Sequence, residues 1–135
     1  MDGLGDVTFE VWVRTSDTVG AIISGANAGQ DNEYLLYVAG GSLQMHVKGT
    51  ASPMFASPGL TNGLFHHLVW VRRTAGSNEL YMDGSLLGTA TLPTGALSIA
   101  ASGLFLQQEQ DCVWGCFNKN EALLSDLDEV SLYNR

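Results

Sequence analysis

Positive charge is scarce in this chain. Of 135 residues only six are Lys or Arg, against fourteen Asp or Glu, for a net charge of -8. The nearest approach to a basic cluster is the pair Arg72-Arg73, so a polyanion such as nucleic acid is not an expected partner. Long apolar runs are absent as well. None approaches the roughly 18 residues that a membrane span needs, so no membrane insertion is expected. The first residues, Met1-Asp2-Gly3-Leu4-Gly5-Asp6, lack the basic start of a signal peptide. Cysteine is limited to Cys112 and Cys116, too few for a disulfide scaffold. No second pair completes a zinc site, and His46, His66 and His67 lie far from the cysteines in sequence. A Cys112–Cys116 bridge closes a loop too small for much entropic stabilisation, so its use is to fix the shape of that loop. Two half-buried free thiols are the alternative. Helical periodicity is missing too: only Asn120 to Leu124 offers a single helical turn.

What remains is the composition of a globular domain, 45% hydrophobic and 15% charged, and a length that suits one domain, residues 1–135, with a real core. The periodicity is that of strands. Val7, Phe9, Val11 and Val13 alternate with Thr8, Glu10, Trp12 and Arg14, which places the first set on a core face and Trp12 on the outer one. Ala21-Ile22-Ile23 reads as a short strand ended by Ser24-Gly25. Tyr34 to Val38 and Leu43 to Val47 flank Ala39-Gly40-Gly41-Ser42 as a hairpin. His67 to Arg72 is another strand. Asp83-Gly84, between Leu80-Tyr81-Met82 and Ser85-Leu86-Leu87, is the strongest two-residue hairpin signal in the chain. Leu104 to Leu106 and Leu127 to Tyr133 supply the last two strands. Trp12, Trp70, Phe9, Phe65 and Phe105 fall at strand spacing and read as core or sheet-face packing. These observations predict an all-β sandwich of two antiparallel sheets with at most one short helix.

Two acidic clusters lie at strand ends. Gln30-Asp31-Asn32-Glu33 precedes the Tyr34 strand, and Gln107-Gln108-Glu109-Gln110-Asp111 follows the Leu104 strand, with Asn118 and Glu121 after it. Glu109 and Asp111 are two apart, so in extended chain they face one side with the Gln110 carbonyl between them. Calcium takes six to eight such oxygens. Asp31 and Asn32 complete a shell if the fold brings the two loops together; otherwise the clusters are solvated acidic loops.

Gln30-Asp31-Asn32-Glu33 before an aliphatic–aromatic strand resembles the first calcium motif of the pentraxins. Gln108-Glu109-Gln110-Asp111, followed by Gly115, Phe117 and the strand ending Asp128-Glu129-Val130-Ser131-Leu132-Tyr133, resembles their second. Val7 to Val13, His66-His67-Leu68-Val69-Trp70 and Leu80 to Gly84 are similar to strands of the wider laminin G-like and concanavalin A-like jelly rolls. The resemblance implies a jelly roll with a paired calcium site. One ion is held by Asp31, Asn32, Glu109, the Gln110 carbonyl and Asp111; a second shares Glu109 and Asp111 and adds Asn118 and Glu121. It also implies a ligand pocket lined by Tyr37 and His46, in which calcium ligates a phosphate-bearing small molecule or a glycan. Extracellular or cell-surface placement and homo-oligomerisation are further family expectations.

The departures from the pentraxin pattern are specific. The carboxylate and amide at the Asn118 and Glu121 positions are exchanged. The intra-domain disulfide positions hold Glu10 and an aliphatic residue near Leu68, while both cysteines lie inside the second calcium loop. Trp114 replaces a glycine; its ring either stacks on a ligand or packs over the loop. The pattern continues beyond Tyr133-Asn134-Arg135 in pentraxins, so a piece of a longer protein is one expectation and a minimal module the other. The leading expectation is a calcium-dependent, lectin-like recognition module with no enzymatic activity. Two alternatives remain: a calcium-stabilised structural or adhesion domain, and a glycoside hydrolase using Glu109 and Asp111, for which a third carboxylate in step on that strand is missing.

Overall fold

Alternation in the sequence becomes alternation in burial. Along strand β1 (Val7–Thr15), Val7, Phe9, Val11 and Val13 are fully buried, while Trp12 keeps 37% of its surface. A computed structural model describes residues 1–113 and 115–134, with the backbone alone at Gln30, Asp31 and Gly115. After β1 come β2 (Val19–Asn27), β3 (Gln30–Ala39), β4 (Ser42–Val47), β5 (Thr50–Ala51), β6 (Phe65–Arg72), β7 (Ser77–Met82) and β8 (Ser85–Thr91). Then follow β9 (Leu104–Leu106), β10 (Gln110–Cys112), β11 (Gly115–Phe117), a 3-10 turn η1 (Lys119–Glu121) and β12 (Ser125–Tyr133). One five-stranded sheet runs β12-β1-β6-β7-β8, the other β5-β4-β3-β2-β9, and β10-β11 is a separate hairpin. Every paired strand is antiparallel, so the all-β jelly-roll sandwich read from the sequence is the fold.

The core lies between the two sheets. Trp70 from β6 stacks on Tyr34 from β3 with ring centroids 3.9 Å apart, which joins the sheets at their centre. The Trp70 indole N–H donates to Asn78 Oδ1 at 2.9 Å, so its polar edge is satisfied in the interior. Arg72 is buried next to this pair and donates to the carbonyls of Gly5 and Gly95, tying two loops to the sandwich end. At the β7–β8 turn Asp83 and Gly84 both have positive φ, 51° and 76°, as the tight hairpin turn requires.

Several strands run longer than the sequence reading gives, and three differences bear on the site. β3 starts at Gln30, so the first acidic cluster belongs to a strand and does not precede one. β2 extends well past Ile23 because Ser24, Gly25 and Ala26 are small and close-packed on both faces. The helical turn is a 3-10 turn over Lys119–Glu121, one step earlier than the apolar residues of 120–124 indicate.

The segment from 107 to 123 decides where the acidic residues stand. Its two ends meet: Leu123 N–H donates to the Gln107 carbonyl at 2.9 Å, and Gln107 N–H donates to Ile22 on β2 at 3.0 Å. Ala122 adds a parallel bridge to Ala21. That close approach depends on Gly20, whose φ is +146° and where a Cβ would lie 2.7 Å from Leu123 N and Cα. Gly20→Ala therefore forces the returning segment off β2 and strains the backbone. It is expected to cost about 1–3 kcal/mol, read as a lower urea midpoint with an unchanged slope.

Candidate metal centre

The root just described sends out the hairpin β10–β11, whose strand β10 packs against β2 and β3. Gln108 fastens its base. The side-chain amide donates to the Glu109 carbonyl at 2.9 Å and to the Asn118 carbonyl at 3.0 Å. Beyond β11, Asn118 caps the 3-10 turn by accepting from Asn120 N–H at 3.0 Å, and the turn presents Glu121.

The result is a cluster of like charges. One carboxylate oxygen from each of Glu109, Asp111 and Glu121 lies within 4.8 Å of the others. Glu109 is buried, Asp111 is exposed and Glu121 is intermediate. None of the ion pairs among the described residues involves them. Burial first, then the neighbouring Glu121 and Asp111 carboxylates, push the Glu109 carboxyl up to about 8. Glu109 Oε2 is buried and accepts no hydrogen bond, and both polar atoms of the fully buried Gln110 side chain also lack one among the described residues. Such groups are costly to bury. A hard divalent cation would partner the Glu109 oxygen, and an all-oxygen donor set with no imidazole or thiolate fits calcium or magnesium and not zinc.

A cavity of about 190 Å³ opens beside the cluster, lined by Asn32, Leu35, Tyr37, Gln44, His46, Glu109 and Glu121. The β3–β4 register accounts for its walls: Leu35 opposes His46 and Tyr37 opposes Gln44, so all four share the outer face. Gln44 Nε2 donates to the Ser52 carbonyl at 2.8 Å, which leaves its Oε1 to accept from His46 Nε2 at 3.2 Å. Burial lowers the His46 pKa, so the ring is neutral with its proton on Nε2 and Nδ1 as its remaining acceptor. Tyr37 is raised by burial and then by the Glu121 and Glu109 carboxylates.

The sequence-predicted residues therefore separate. Glu109, Asp111 and Glu121 converge, and Asn32, Tyr37 and His46 line the cavity beside them. The Asp31 side chain and Trp114 lie outside the described residues. The Asn118 side chain is engaged as a helix cap. Glu33, in the same acidic run as Asp31, is turned inward, accepting from Ser98 N–H at 2.8 Å and from Asn27 Nδ2 at 3.1 Å. Cys112 and Cys116 are joined as a disulfide, which closes the free-thiol alternative. Leu35 and Gln44 were missed; their signal was the two-residue spacing that sets Gln44 beside His46 and Leu35 beside Tyr37.

The sequence pattern of the concanavalin A-like lectin/glucanases superfamily matches residues 1–135. Neuronal pentraxin-2 of Homo sapiens is 32% identical over 136 residues, which is 95% of this chain and 30% of that protein. C-reactive protein of Homo sapiens is 26% identical over 129 residues, covering 95% of this chain and 58% of that protein. The chain thus spans less than a third of the neuronal pentraxin's length. Among solved structures, the native heptameric SAP-like pentraxin of Limulus polyphemus superposes with a TM-score of 0.82 at 23% identity, covering 99% of this chain and 67% of that one. Domains LG4-5 of the mouse laminin α1 chain superpose with a TM-score of 0.74 at 16% identity, covering 100% and 37%. Sequence match and fold agree along the whole chain: it belongs to the concanavalin A-like lectin/glucanases superfamily.

Proposed function

We propose that this domain is a calcium-dependent recognition module that binds an anionic or hydroxyl-rich ligand through protein-bound calcium. The observation that carries the reading is the buried Glu109 carboxyl, held against Asp111 and Glu121 with no balancing cation among the described residues. Asp31, Asn32 and the Gln110 carbonyl are the further donors proposed for this ion. A second ion, sharing Glu109 and Asp111 and adding Asn118 and Glu121, is proposed on the pentraxin resemblance. Calcium keeps coordination positions for outside oxygens, and the cavity beside the cluster gives a ligand room to reach them. The proposed ligand is a phosphate-bearing small molecule or a glycan. A neutral His46 with a free acceptor suits a ligand whose second group donates a hydrogen bond, such as a sugar hydroxyl or a primary ammonium.

The disulfide favours an extracellular or cell-surface setting, where calcium is available at millimolar level. Binding is favoured over glycoside hydrolysis because the run that carries Glu109 and Asp111 has no third carboxylate in step, Val113 and Gly115 filling the positions that follow at the same spacing. A calcium-stiffened adhesion domain with no ligand is the second reading, favoured by the way the segment 107–123 closes on its own root.

Three outcomes test the proposal. Millimolar calcium, and not magnesium, should raise the melting temperature of the chelated protein, as any ligand of the native state does; Asp111→Ala should abolish the rise while the protein stays folded. Glu121→Gln should act with opposite signs in the two conditions. In chelator it relieves about 1 kcal/mol of repulsion at water-like screening and raises the melting temperature; in calcium it shrinks the calcium-induced gain. A variant that is neutral in chelator and fully responsive to calcium contradicts the assignment. His46→Phe should leave calcium affinity unchanged and lower calcium-dependent retention on immobilised phosphoethanolamine or sugars by about tenfold, the loss of one good hydrogen bond. If no such surface retains the unmodified protein in calcium, the adhesion reading replaces the recognition reading.

A further inference from the structure

Building on the calcium reading above, we propose that the Cys112–Cys116 disulfide positions the metal ligands, and that calcium binding and disulfide reduction are thermodynamically coupled. The bond lies within the β10–β11 hairpin. Asp111 immediately precedes Cys112, and the chain after Cys116 runs through Phe117 and Asn118 into the turn that carries Glu121. The bridge thus joins the outgoing arm, with Glu109 and Asp111, to the returning arm, with Glu121.

Among the described residues, little else joins the two arms beyond their base. The ladder consists of the pairs Gln110–Phe117 and Cys112–Gly115, and a two-stranded ladder of that length is marginal in water. The Gln108 amide holds the base through the Asn118 carbonyl at 3.0 Å, and the pinned ends at Gln107 and Leu123 lie further back still. Against these contacts stands the repulsion between Asp111 on one arm and Glu121 on the other, which opposes their approach when no cation is bound. Cys116 has φ +57°, a left-handed conformation that a residue with a side chain keeps only under constraint from its surroundings.

Reduction removes the cross-link. A dithiol such as dithiothreitol attacks one sulfur, forms a mixed disulfide and closes to its cyclic disulfide; two electrons and two protons pass to Cys112 and Cys116 as the S–S bond breaks. Asp111 is then free to move away from Glu121, and calcium affinity falls. By linkage, the factor by which reduction weakens calcium binding equals the factor by which calcium opposes reduction.

The test uses the intact protein and calcium alone. Calorimetry on the oxidised protein and on Cys112→Ser/Cys116→Ser should show calcium affinity about tenfold weaker without the bridge. The unmodified protein, equilibrated against graded ratios of reduced and oxidised dithiothreitol and read by thiol alkylation, covers the case in which the double variant misfolds. In saturating calcium its reduction midpoint should move about 30 mV more negative, the shift equal to a tenfold coupling for a two-electron couple. Equal calcium affinity in both forms, or a midpoint indifferent to calcium while the oxidised protein binds it, overturns the coupling and leaves the calcium site standing. Absence of calcium binding to the oxidised protein overturns the calcium reading and the coupling with it.

Discussion

Three carboxyl groups with no positive partner among the described residues set the terms for the rest of the structure. Glu109, Asp111 and Glu121 stand within 4.8 Å of one another, on a chain whose charge is already -8. Left alone, such groups separate or take up protons; here Glu109 is driven toward its protonated form by burial and by its neighbours. The chain nevertheless holds them together by several independent means. The ends of the segment meet at β2, Gln108 spans the hairpin base, the Asn118 cap shapes the turn below Glu121, and the disulfide joins the arms. A cluster held against its own repulsion is the arrangement expected of a cation site, because the ion turns the repulsion into attraction on both sides.

The sandwich underneath supplies rigidity. Outer-face residues of β3 and β4 line the cavity, and the inner faces of the same strands are buried core: Leu36, Val38, Leu43 and Met45 are fully enclosed. The backbone under each lining side chain is thereby anchored by a neighbour of the opposite orientation, so the Cα positions of Tyr37, Gln44 and His46 cannot shift without disturbing the core. The small residues of β2 serve the same end. Gly20 admits the returning segment at a distance that any side chain would block, which places Glu121 opposite Glu109 and not out in solvent.

The fold was legible because strand alternation is a local signal. β1, β4 and the Asp83-Gly84 hairpin show their pattern within a few residues, and each appears where the sequence puts it. The ends of β2 and the start of β3 were not legible, since small or acidic residues carry no period, and what makes them strands is pairing with distant partners. The same division runs through the site. That the Glu109 and Asp111 carboxylates lie together followed from their spacing. Glu121 reaches them through a 3-10 turn and past a glycine on another strand, neither of which is visible in the acidic run itself. Glu33 shows the converse: it sits in a calcium-like motif, yet it spends its carboxylate on Ser98 and Asn27 inside the protein.

The most direct test of the central claim is a crystal structure of this domain grown in millimolar calcium, with anomalous scattering collected to locate the ion. The account predicts a peak bonded to oxygens of Glu109, Asp111 and Glu121 at about 2.3–2.6 Å, with the Gln110 carbonyl and the Asp31–Asn32 end of β3 turned toward it. The contradicting result is a cluster without a peak in saturating calcium, its three carboxylates linked by shared protons or by water.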